Sequence, residues 1–286
     1  MDWYVTAGIV ITIAVMVSAS VFDWRSREVP DIHWWILGIA GISLTAVSLQ
    51  TELRMGYILM IIGSLMILIF ILLDVDMSVP VSLIYCAAMA VLFVYPAAIA
   101  FDDPGVRRLL VIPVCFMIFY ALFTVGVLRG GADAKCLMVL AMMFQTYPVS
   151  GDLPLIALPS YDIQLLFPFP IAILFHAALF SFAWLFWTVI RKIYRREDPV
   201  EMYSLSWYRM SIEEARRSHV WPKQDAVDGM VVNVKGIPNE GAFDRLEAAG
   251  AKDVWVTPII PFMVPITVAV VFVLLVGSLL NIPFSL

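Results

Sequence analysis

The segment VLRGGADAKCLMVLAMMF, residues 127–144, sets an arginine, two glycines, Asp133 and Lys135 directly against an apolar run. A second aspartate, Asp23, closes another apolar run in SASVFDWRSREVPDIHWW and is followed by Arg25, Pro30 and Asp31. Two carboxyls brought together cannot both ionise cheaply, so they share a proton and titrate as a unit. The ionised member draws a proton from water. The protonated member polarises a peptide carbonyl and later helps protonate the leaving amine. Hydrolysis of this kind uses neither a nucleophilic serine nor a metal or other cofactor. Gly130 and Gly131 would let a substrate backbone approach Asp133, so bulk at either is expected to damage cleavage. Each acid also has a plainer use. Asp133 and Asp31 suit helix N-caps, and Asp23 beside Arg25 and Arg27 suits a solvated loop.

The elements that must carry these acids are set by composition. Of the 286 residues, 62% are apolar and 14% charged, against about half and a quarter in soluble domains. Continuous apolar runs long enough to cross about 30 Å of hydrocarbon as helix give an all-α polytopic membrane protein. A β-barrel would need alternation instead. The runs predict eight transmembrane helices over 4–22, 32–50, 56–73, 80–101, 109–128, 132–147, 167–190 and 258–282. The sixth is short and ends in the polar QTYP. The first lacks a basic leader region and a clear cleavage site, so it reads as a retained helix. Cys86, Cys115 and Cys136 lie in apolar surroundings without CxxC spacing, and His33, His176 and His219 show no ligand spacing. Neither a disulfide frame, a metal site nor a Ser-His-Asp triad is suggested.

Eight crossings place the loops on alternating faces. One face receives Arg25, Arg27, Arg129, Lys135 and all eleven Lys and Arg of 191–254; the other receives Arg54, Arg107 and Arg108. The positive-inside tendency therefore turns the first group to the cytoplasm and both termini outward. Asp23 and Asp133 are separated by an even number of crossings, which returns the chain to the same face. Their contact is a further hypothesis. The expected organisation is a membrane catalytic domain over 1–190, a small cytoplasmic α/β or mixed insert over 191–257, and a final helix with the C-terminus over 258–286. Within the insert, Ser211 and Glu214 predict a capping box, and VVNVKGIPNEG predicts a strand followed by a turn.

FDWRSREVPD followed by GGADAK resembles the paired motifs of the GxGD membrane aspartyl proteases. More narrowly, it is similar to the archaeal preflagellin (prearchaellin) peptidases, a branch of the type IV prepilin peptidases. Asp23, Arg25, Pro30 and Asp31 match the first motif, and Gly130, Ala132, Asp133 and Lys135 match the second. The entry to the final apolar run, DVWVTPIIPFMVPITVAV, is similar as well. The resemblance implies two catalytic aspartates, no cofactor, and removal of a short basic leader from a preflagellin or pilin-like precursor at the cytoplasmic membrane face. The implied partners are such precursors and membrane lipids, with no nucleic acid. Ala132 departs from the glycine of GxGD, and the chain has two more spans than the six of the archaeal pattern. It also lacks the tetracysteine domain of the methylating bacterial relatives, which implies proteolysis without N-methyl transfer. No PAL motif follows Asp133, which disfavours a presenilin-like protease. The alternative of another class is a small proton-coupled transporter, whose boundary carboxylates would line a path to both faces.

Overall fold

The computed structural model describes residues 2–49, 54–73, 78–128, 130–195, 207–227, 229–234, 241–259 and 261–284. Arg129, Asp74, Asp76 and the turn expected after the strand at 230 lie outside the described residues. Two compact units emerge, Met1–Ala178 with Pro261–Leu286, and Leu179–Ile260.

The first unit is a bundle of α1 (Trp3–Ser26), α2 (Ile32–Ser48), α3 (Met55–Leu72), α4 (Val79–Ala100), α5 (Pro104–Thr124), α6 (Gly131–Met143), α7 (Tyr161–Leu166), the start of α8 (Phe169–Arg195) and a later helix over Met263–Leu275. Among the described residues, five helices are long and apolar enough to cross a membrane: α1, α3, α4, α5 and the stretch Met263–Phe284. Ile32–Ser48 and Phe169–Ala183 are shorter apolar helices. The 13 residues of α6 cover only about 20 Å. The chain is thus a membrane-embedded helical protein.

α6 is the centre of this unit, with Cys136, Leu137, Val139, Leu140, Ala141 and Met142 all fully buried. It crosses α2 with little space between the backbones. A Cβ at Gly41 would lie 2.7 Å from both the N and Cα of Met143, so only a glycine admits this approach. The carbonyls at the end of α6 are met by Gln145, whose amide donates to Ala141 and Met142 at 2.9 and 2.8 Å.

Two helix starts differ from expectation for local reasons. α5 begins at Pro104 rather than 109, because the Asp103 side chain accepts the N–H groups of Gly105 and Val106, with Pro104 at the first turn. Burial works to raise the Asp103 carboxyl. The Tyr57 hydroxyl, those N–H groups and Arg54 outweigh it and hold Asp103 below the ordinary carboxylate value. The last helix begins at Met263 rather than 258, because 253–258 are extended and paired as strand. It also stops at Leu275. The N–H groups of Leu155 and Ile156 take the carbonyls of Leu275 and Val276, and the chain continues as a 3-10 turn over Leu279–Phe284.

The second unit continues α8 into β1 (Tyr208–Ser211), α9 (Ile212–Arg217), β2 (Val220–Pro222), β3 (Gln224–Val227), β4 (Met230–Asn233), α10 (Ala242–Ala248) and β5 (Asp253–Pro258). The helix over Met263–Leu275 in the first unit is therefore α11. β5 lies between β1 and β2, antiparallel to both, and β3 pairs with β4. Alternation along β1 turns Tyr208 and Met210 inward, onto Ile212, Ala215, Val220, Leu246, Val254 and Val256. The Ser211 half of the expected capping box is present, with Ser211 Oγ accepting the Glu214 N–H at 3.2 Å. Arg245 bonds both oxygens of Asp225, at 2.9 and 2.7 Å, and holds that carboxyl below its ordinary value. The expected mixed insert before the last helix is what this unit forms.

Candidate active site

Asp23 lies in the last turn of α1. The helix ends three residues later, at Ser26, because Arg27 adopts a left-handed conformation, φ 61° and ψ 16°, and its N–H returns to the Asp23 carbonyl. A non-glycine residue at positive φ is disfavoured, and it is a feature that clusters at functional sites. The Arg27 guanidinium also reaches the Asp23 carbonyl at 3.3 Å. Arg25 is exposed. The chain then turns through Pro30, whose carbonyl accepts from His33 Nδ1 at 2.9 Å; the other His33 nitrogen takes the Ser18 hydroxyl at 3.0 Å. His33 thereby ties the turn back to α1.

Asp31 occupies the N-cap position of α2 but makes no side-chain cap bond. Its two oxygens instead accept from Lys135 Nζ at 3.0 and 2.9 Å. The expected cap is corrected to an ion pair. Asp31 sits in an αR conformation, φ −62° and ψ −15°, rather than the extended one that aims a cap side chain at the following N–H groups. Half-exposed carboxylates paired with lysine contribute little, so Asp31→Asn is expected to lower stability by about 0.5 kcal/mol. Thermal unfolding in detergent would check this.

Asp133 is the third residue of α6, whose N-cap is Gly130, so it does not cap the helix. A Cβ at Gly130 would fall on the Asp133 carboxylate, whereas one at Gly131 would meet only Phe123, at 3.9 Å. The two glycines therefore differ. Gly130 makes room for the carboxyl itself, and Gly131 has, among the described residues, the Phe123 ring at ordinary contact distance. Ala132 is helical and needs no positive φ, so its departure from glycine costs nothing in backbone geometry.

The register between helices brings these residues to one end of the bundle. A Cβ at Gly8 of α1 would lie 3.3 Å from Met143 Sδ of α6, while Met16 Sδ lies 3.5 Å from Cys136 Sγ. Rising residue numbers on α1 meet falling numbers on α6, so the two helices are antiparallel. From the Met16 contact, Asp23 lies seven residues on, nearly two turns and on the same helix face. From Cys136, Asp133 lies three residues back toward the same end. At 1.5 Å per residue the two acids differ in depth by about 6 Å. The Lys135–Asp31 bonds and the Thr45 hydroxyl on the Met142 carbonyl at 3.4 Å show α2 running parallel to α6. α11 also begins here, with the Met263 N–H donating to Asp23 Oδ2 at 3.0 Å.

That last contact had no signal in the sequence, because the donor is a backbone group 240 positions away. Among the described residues, no group of three or more His, Cys, Asp or Glu is placed to hold a metal ion.

No protein-family model matches the sequence. A preflagellin peptidase of Methanocaldococcus jannaschii is 29% identical over 167 residues, covering 58% of this chain and 69% of that protein. A preflagellin peptidase of Methanococcus voltae is 25% identical over 174 residues, covering 58% and 70%. The chain is distantly related to preflagellin peptidases. That relationship and the membrane-embedded helices together suit a protease-like role at a membrane.

Proposed function

We propose that the chain is a membrane aspartyl endopeptidase that removes the short basic leader from preflagellin or type IV pilin-like precursors at the cytoplasmic membrane face. The observation that carries this reading is the antiparallel register of α1 and α6, from which Asp23 and Asp133 reach the same end of the bundle. The distant relationship to preflagellin peptidases supports it, as does the concentration of basic residues on one set of loops. In this reading eight helices cross the membrane. Both termini lie outside, and both acids and the insert lie at the cytoplasmic face, where an unexported leader resides.

The chemistry follows from the shared proton. The carboxylate of one aspartate takes a proton from water as the water oxygen bonds to the scissile carbonyl carbon. The carboxyl of the other gives its proton to the carbonyl oxygen, and a tetrahedral gem-diol results. The newly protonated acid then gives its proton to the amide nitrogen, and the C–N bond breaks. The gem-diol loses a proton to the second carboxylate, leaving a carboxylic acid and restoring the pair. No group beyond the two acids and water enters the balance. Gly131 gives the precursor backbone its approach. The hydrophobic helix that follows the leader stays in lipid, so lipids act as a partner in presenting it.

Co-expression with candidate flagellin and pilin precursors, read by intact product mass, tests the proposal. The expected product is a single cut after the basic leader, with an unmethylated new amine. Uncut precursor in cells where both proteins accumulate in the membrane would overturn it.

A further inference from the structure

A small polar zipper joins α1 to α11 beside the candidate dyad. Thr267 is buried on α11 and donates its hydroxyl to the Met16 carbonyl at 3.0 Å. Ser20 Oγ lies 2.6 Å from Thr267 Oγ1 and 3.0 Å from the Met263 carbonyl oxygen. Three residues farther along α1, Asp23 Oδ2 accepts the Met263 N–H. Met16, Ser20 and Asp23 form one stripe on α1, and Met263 and Thr267 form the facing stripe on α11.

Helices in lipid gain no hydrophobic energy from burying apolar surface against each other, so small residues and hydroxyls set their register. The register here has a specific consequence. Met263 opens α11, and its N–H is among the first four that no intrahelical carbonyl can satisfy. The positive end of a 13-residue helix is thereby aimed at one carboxyl of the pair.

We propose that Thr267 and Ser20 are positioning residues that lock α11 against α1, so that the Met263 N–H holds Asp23 as the ionised, water-activating member of the pair. This rests on the reading of Asp23 and Asp133 as a dyad. It deepens that reading by assigning Asp133 the proton-donating role.

Among the described residues, the charged and titratable groups around Asp23 are few. Arg25 is exposed on the same helix, Arg27 caps that helix, and Asp133 lies on α6. α2 brings Asp31, occupied by Lys135, and His33, occupied by Ser18 and the Pro30 carbonyl. α11, Met263–Leu275, contributes no ionisable side chain. A hydrogen bond to the carboxylate favours that form over the acid. Loosening the zipper therefore makes the carboxylate harder to form, and the acidic limb of kcat/KM moves to higher pH.

The test is the pH profile of precursor cleavage by the full chain in lipid vesicles, for the parent, Thr267→Val, Thr267→Ser and Ser20→Ala, with thermal stability measured for each. Thr267→Val keeps the side-chain shape and removes the hydroxyl. Its rate on the acidic limb is expected to fall about fivefold, with the neutral plateau much less affected. Thr267→Ser is expected to restore the parent profile, and Ser20→Ala to shift it as Thr267→Val does. If Thr267→Val does not insert, Ser20→Ala carries the test alone. An unmoved acidic limb, or an equal loss at every pH, would overturn the positioning role while leaving the dyad intact. A parent protein that cuts no precursor would remove the dyad reading itself, and this inference with it.

Discussion

Asp23→Asn and Asp133→Asn are each expected to reduce precursor cleavage by about three orders of magnitude or more, while both proteins still accumulate in membranes. Asparagine matches aspartate in size but neither carries the negative charge nor shares a proton. The fold is expected to tolerate either change. Asp133 is not the cap of α6, and the Met263 N–H can bond an asparagine carbonyl oxygen at position 23 as it bonds Asp23. Loss of cleavage without loss of insertion is thus the signature of chemistry rather than packing. Quantifying precursor turnover against membrane-inserted protein would check it. Near-parental turnover by either well-inserted variant would sink the dyad.

The second large effect lies at Gly130. A side chain there meets the carboxylate of Asp133, not the backbone of a neighbouring helix, so the structure can absorb it by swinging that carboxyl aside. Gly130 has φ −86° and ψ 121°, open to any residue, so Gly130→Ala carries no backbone strain. The cost falls on catalysis. Displacement of a reacting group by about 1 Å costs on the order of a hundredfold, and that is the expected loss for Gly130→Ala at near-parental thermal stability. Gly131→Ala meets only Phe123 at ordinary contact distance and gains helix propensity, so its stability is expected to hold or rise. Its turnover reports the room left for the substrate alone. Equal, parental turnover by both variants would remove the steric meaning of the glycine pair.

The helices were legible because long apolar runs admit one solution in lipid, and each of the eight expected spans begins within five residues of a helix start. One of the two widest gaps is at the last, where strand pairing with β1 and β2 holds 253–258 and delays α11 to Met263. Its early end depends on Leu155 and Ile156, far away in the sequence. Hydropathy does not register such pairings. The site shows the same division. Counting crossings was enough to expect Asp23 and Asp133 at one face, and the helix register brings both to one end of the bundle. Asp31 reads as a cap because the residues beside it look like a helix start; its ion pair with Lys135, 104 positions on, is invisible to local pattern. The Met263 N–H belongs to no residue type at all. Arg27 at positive φ was equally hidden, since glycine or asparagine is the usual signal for that conformation.

The claim that binds the account together is that Asp23 and Asp133 act as one unit. The measurement that reaches it most directly is precursor turnover by the double variant, Asp23→Asn with Asp133→Asn, beside the two single variants in the same vesicles. Residues that share one proton-transfer step lose their function together, so the double variant is expected to be no slower than the slower single variant. Losses that multiply, with each single variant retaining substantial turnover and the double falling by their product, would show two independent contributions and contradict the dyad.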